Sequence, residues 1–170
     1  MRHVILSLLF GTPLTAQSPV ASAVRHALAE ARPNLIGAAE AMPDSGYAFR
    51  PTAQQMRFGA IVRHVAASND WACAIIGGVK EPRRAAVEST AGKAALVARL
   101  RASFEFCATE LAGLTDEHLD AIVWTFPNDP MTRARAIVGV VGDWEDHYAA
   151  MAIYLRLNGV LPPTAIAGGH

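Results

Sequence analysis

Apolar residues return at helical spacing along four stretches of this chain, and no stretch reads as a strand. The last stretch is the most regular. Ala136, Val140, Asp143, His147, Met151 and Tyr154 form one stripe, with Ile137, Val141, Trp144, Tyr148 and Leu155 beside it. The pattern predicts a helix that starts near Met131 or Thr132, after the stop at Pro127-Asn128-Asp129-Pro130. It ends at Leu157-Asn158-Gly159, where Asn and Gly suit a left-handed cap. A first helix opens at Ser18-Pro19 and runs to about Met42, with Pro33 inside it. A second runs from Thr52 to about Ile76, its face made of Phe58, Ile61, Val62, Val65, Ala72 and Ile76. A third runs from about Thr90 to Leu114 on Leu96, Val97, Leu100, Phe104, Cys107 and Leu111. A short helix at Asp116 to Ile122, capped by Thr115, is expected in the connector that follows. The tail from 164 to 170 is expected to be loose.

Four amphipathic helices predict an all-α four-helix bundle. Within the last one, two polar residues stand where a core belongs. An ionised carboxylate in an apolar stripe is costly unless it is paired or holds a metal. The i, i+4 spacing aims Asp143 and His147 at one point. His64, on the edge of the second helix's apolar face, carries little weight alone but is the natural third partner. The three are expected to converge in the bundle interior as ligands of one divalent ion, the alternative being a buried hydrogen bond.

The two cysteines bear on connectivity. Cys73 and Cys107 lie near the far ends of helices two and three, so they meet only if those helices are parallel. The long connection between the helices can span such a crossover at about 3.3 Å per residue. An up-down-down-up order with a Cys73–Cys107 disulfide is the result, the alternative being two inert thiols.

Length and composition add limits. A chain of 170 residues fits one domain, placed at 17–163. Fifteen basic residues balance fifteen acidic ones, so no overall field draws the protein to nucleic acid. Arg2 and His3 precede an apolar run from Val4 to Phe10 and small residues up to Ala16, the pattern of a signal peptide over 1–16. Ala21-Ser22-Ala23 offers a second cut. The run is too short to span a bilayer. Export implies the periplasm or the exterior, an oxidising setting; a cytoplasmic protein with an apolar N-terminus is the alternative.

Three local features resemble the DinB-like family of metal-binding four-helix bundles, which includes bacterial thiol transferases related to YfiT. Arg63-His64-Val65-Ala66 matches the family's early histidine. Asp143-Trp144-Glu145-Asp146-His147-Tyr148 matches the late segment where His-x-x-x-His is common. Tyr154 to Pro163 is similar to an ending found in exported members. The resemblance implies metal ligands at His64 and His147, with Asp143 replacing the first histidine of the late pair. Two histidines and a carboxylate suit zinc and ferrous iron, so the zinc or nickel associated with the family is not automatic. It further implies a metal-dependent enzyme that transfers a low-molecular-weight thiol to an electrophile; export argues against such a cytosolic thiol and fits hydrolysis instead, and the sequence names no substrate. A noncatalytic module binding a metal or small ligand is the alternative, and a homodimer is left open. Glu145 and Asp146 flank the ligands as candidate bases, although their positions favour solvent. The sequence has no Gly-x-Ser-x-Gly and no phosphate loop.

Overall fold

The computed structural model describes residues 18–126 and 129–167. The proposed leader at 1–16 and the last residues of the tail lie outside them. Helices α1 (Pro19–Ala41), α2 (Phe58–Gly77), α3 (Lys93–Ala112) and α4 (Arg133–Leu157) form the bundle. A 3-10 helix (Asp44–Ala48) follows α1, strands β1 (Ile122–Phe126) and β2 (Asp129–Thr132) precede α4, and α5 (Pro163–Ala167) closes the described chain.

Side-chain pairs fix the directions. Along α2 and α3, Asn69 meets Ser103 and Cys73 meets Cys107, so the two helices run parallel. Arg32 of α1 pairs with Glu105 of α3, and Arg101 with Glu40, which makes that pair antiparallel. Asn69 meets Trp144, while Phe58, near the start of α2, meets Tyr154 near the end of α4, so α2 and α4 are antiparallel. The bundle is up-down-down-up, as the cysteines required. The disulfide is present, with Cα atoms 5.2 Å apart and both residues fully buried, inside the range that a bridge spans without backbone movement.

Large apolar side chains from all four helices fill the centre, among them Leu35, Phe58, Phe104, Trp144, Met151 and Leu155, each under 2% exposed. The aromatic loop after α1 packs over one end. Tyr47 lies edge-on to Phe58 at 5.3 Å and Phe49 to Tyr154 at 5.9 Å. The long α2–α3 crossover is pinned by Arg84, which donates to the buried Asp70 carboxylate at 2.8 Å and to the Ala102 carbonyl at 3.0 Å.

Four local expectations are corrected. The second helix starts at Phe58, not Thr52, because the Phe58 amide donates to the Phe49 carbonyl at 2.9 Å and closes a loop ahead of the helix. The third starts at Lys93 behind Gly92, which holds extended backbone. In place of the helix at Asp116 to Ile122 there is a turn and then an antiparallel hairpin, Trp124 opposite Met131 and Phe126 opposite Asp129. The run Ile122-Val123-Trp124-Thr125-Phe126 is β-branched and aromatic throughout, which favours a strand. Residues 164–167, read as loose tail, belong to α5, where Thr164 shares two hydrogen bonds with the Tyr148 hydroxyl.

Capping also departs from local expectation. The Ser18 side chain does not cap α1. The Asp116 carboxylate does, accepting from the Val20 amide at 3.0 Å and the Ala21 amide at 2.7 Å, and its charge complements the positive helix end. Thr132 does cap α4, its hydroxyl accepting from the Arg135 amide.

Candidate metal centre

His64 projects from the middle of α2, while Asp143 and His147 project from α4 one turn apart, so the antiparallel α2–α4 pair brings all three together. One ligand atom from each lies within 4.8 Å of the other two. His64 Nε2 is 3.7 Å from Asp143 Oδ1, and the two imidazole rings lie 4.7 Å apart between centroids with planes 32° from parallel. Two tetrahedral ligands about 2.1 Å from one ion stand about 3.4 Å apart, so a pair at the full 4.8 Å would close by about 1.4 Å through side-chain rotation to hold it.

The cluster does not sit in the bundle interior, as expected from the sequence. The His64 side chain is 44% exposed, Asp143 25% and His147 14%, which sets the triad in a cleft at the α2–α4 seam. The rotation of α2 about its axis explains the difference, because Ile61, Val62 and Val65 take the buried side and leave His64 on its border.

The donor set fits a divalent cation on two further observations. Asp143 Oδ2 is buried and has no hydrogen-bond partner among the described residues, a costly condition for a carboxylate oxygen unless a cation meets it. His147 Nδ1 lies 2.8 Å from the Asp143 backbone carbonyl. A carbonyl only accepts, so the proton sits on Nδ1 and Nε2 keeps its lone pair for a ligand. Ser68, one turn along α2, places its hydroxyl 3.4 Å from His64 Nε2.

Of the flanking acids, Asp146 is 85% exposed and approaches His147 only to 4.0 Å, and Glu145 is also exposed. Glu145 lies on the side of α4 that faces α1. Beneath the triad, Asn69 is fully buried. Its amide donates to the Ser103 hydroxyl at 3.1 Å, and its side-chain carbonyl accepts from Trp144 Nε1 at 2.6 Å. That bond fixes the register of α4 one residue from Asp143. A polar residue inside an apolar stripe was its signal in the sequence. Ser68 had only its i+4 offset from His64.

The cleft opens into a cavity of about 390 Å³ that Asp143 and Ser68 line at one end. Among the described residues no helix is long and apolar enough to cross a membrane.

The family model described as the DinB superfamily matches residues 27–151, which include all three residues of the triad. A crystal structure described as that of the conserved protein of a locus from Enterococcus faecalis aligns with a TM-score of 0.67, over 84% of this chain and 98% of that one. At 16% identity the likeness is one of fold. No curated protein matches the chain.

Proposed function

We propose, from the premise that the chain belongs to the DinB superfamily, that it is a divalent-metal-dependent enzyme acting on a small molecule, with His64, Asp143 and His147 as the protein ligands. The observation that carries this reading is the buried, unpartnered Asp143 Oδ2 beside two imidazoles in a cleft that opens to a cavity. Three protein ligands with open positions are the pattern of catalytic sites, whereas structural sites are closed by four. The noncatalytic alternative is the weaker one for that reason. Two histidines and a carboxylate accept zinc or ferrous iron, and the family association adds nickel. When bound, such an ion would lower the pKa of a coordinated water or thiol. The residues do the remaining work. The Asp143 carbonyl holds the His147 ring in one tautomer, and Ser68 offers a hydroxyl beside His64 at the cavity mouth. Thiol transfer and hydrolysis both fit this arrangement.

Calorimetric titration with zinc, nickel and ferrous iron tests the assignment. The wild type should bind one ion, and the double variant His64→Ala with His147→Ala should bind none. Unchanged affinity in the double variant would place the site elsewhere.

We further propose that the protein is exported and its leader removed after Ala16. The leader pattern and a buried disulfide support this. Mass spectrometry of the mature protein should find Gln17 at the N-terminus. An intact Met1 in the cytosolic fraction would overturn the proposal and favour transfer of a cytosolic thiol.

A further inference from the structure

The cavity beside the triad is bounded by α2, the start of α4 and the hairpin, and its wall has a consistent chemistry. Trp71 of α2, Met131 of β2, and Val138 and Val140 of α4 supply apolar surface. Trp124 of β1 braces Trp71 edge-on, with ring centroids 5.8 Å apart, so the hairpin holds the indole that forms one side of the space. Val138 is 72% exposed, which is unusual for a valine at the edge of a cavity and leaves apolar surface facing whatever enters. The polar side chains among the lining residues are Ser68, Arg135 and Asp143. Ser68 and Asp143 stand at the metal end. Arg135 is engaged elsewhere, since its two terminal nitrogens donate to the two Asp129 carboxylate oxygens at 2.6 and 2.9 Å. This bidentate pair offsets the guanidinium's positive charge.

From this arrangement we infer that the substrate is a compact molecule with an apolar, ring-sized body and a single small polar head. The body lies against Trp71, Met131 and Val138, and the head reaches Ser68 and the His64–Asp143–His147 cluster. The inference rests on the metal-enzyme reading above and narrows it. Peptide-like and sugar-like thiols carry several carboxylates or hydroxyls, and this wall offers them no unengaged cation and few donors. Burying such groups without partners is costly. A volume of about 390 Å³ lies at the small end of ligand cavities, which also suits one ring better than an extended tripeptide.

Gly139 supplies the test. It lines the cavity, and a Cβ added there would meet nothing within 4 Å. Leucine is also the better helix former, so Gly139→Leu narrows the cavity without threatening the fold, which a thermal melt checks. Zinc-loaded protein is titrated with 2-phenylethanethiol and with glutathione by calorimetry. The aromatic thiol should bind at least about tenfold more tightly, as expected for burial of one ring. Gly139→Leu should weaken it about tenfold and leave zinc affinity unchanged. Equal affinity for the two thiols, or indifference of the aromatic thiol to Gly139→Leu, would overturn the inference while the metal assignment stood. Absence of zinc binding by the wild type would instead overturn the metal reading. Ethylbenzene, which has no head for a metal, separates the two failures: binding to metal-free protein that Gly139→Leu abolishes supports the cavity assignment, and no binding removes it.

Discussion

Replacing both cysteines, Cys73→Ala with Cys107→Ala, perturbs the bundle in a way whose size follows from the covalent connectivity. The bridge joins residues 34 apart in sequence. In the chain-entropy account, closing a loop of that length removes unfolded-state entropy equivalent to about 3.8 kcal/mol at 298 K. Loss of two fully buried sulfurs adds about 1 kcal/mol for the imperfectly refilled space. The expected destabilisation is therefore about 4 to 5 kcal/mol, a large part of a domain's usual stability of about 5 to 15 kcal/mol. With a urea slope of about 2 kcal/mol/M, the midpoint should fall by about 2 M. The slope itself should rise, because an unlinked unfolded chain exposes more surface. Urea titration followed by circular dichroism measures both quantities, and reduced wild-type protein, which keeps both buried sulfurs, should unfold about 0.5 M above the variant with the same slope. A loss below about 1 kcal/mol with an unchanged slope would refute the reasoning, since it would mean that the parallel α2–α3 pair holds its register without the bridge.

Two further outcomes are expected. Asn69→Leu deprives the buried Trp144 Nε1 of its acceptor while Ser103 keeps its bond to the Leu100 carbonyl, so it should cost about 1 to 3 kcal/mol. Adding Trp144→Phe should recover part of that loss, and equal stability of Asn69→Leu and wild type in chemical denaturation would sink the account. Burial, with the charges of Asp44 and Glu40, pushes the Tyr47 hydroxyl well above its ordinary 10.0; the native state thus keeps a proton that the unfolded chain gives up, and stability should fall as pH rises past about 10. Tyr47→Phe, which loses the bond to the Ala39 carbonyl at 2.6 Å, should be about 1 kcal/mol weaker at neutral pH. The gap should shrink between about pH 9 and pH 11, measured by denaturation at each pH, with burial of Tyr154 leaving a smaller alkaline decline in the variant. A constant gap would refute it.

What could be read from the sequence was what depends on local periodicity. The stripes through Leu28, Val62, Leu100 and Met151 mark four helices because burial on one face needs that spacing, and the matched depth of Cys73 and Cys107 carried the crossover. The hairpin was missed because Ile122 to Phe126, apolar at every position but Thr125, is too short a run to show a period. The start of α2 was misplaced because nothing in Thr52 to Arg57 forbids a helix; a bond from Phe58 back to Phe49 decides it. Caps supplied from a distance, such as Asp116 on α1, have no local signature at all. At the candidate site, the i, i+4 pair on α4 was legible from spacing alone. The depth of His64 was not, since it turns on a modest rotation of α2 about its axis. The partnership of Asp70 with Arg84 and Arg99 was hidden for another reason, because one arginine comes from the crossover and the other from a different helix.

The crossover between α2 and α3 lies inside the ring that the cysteines close. Its exposed Lys80 and Arg83 invite tryptic cleavage there. A cut after either would leave the α1–α2 and α3–α4 halves covalently joined through Cys73 and Cys107, with Arg84 still donating to Asp70. Chain continuity at this point is thus redundant for holding the bundle, and the nicked protein should migrate as one species until it is reduced. The same redundancy makes the crossover a place where a new terminus or an inserted segment would leave the His64–Asp143–His147 cleft undisturbed.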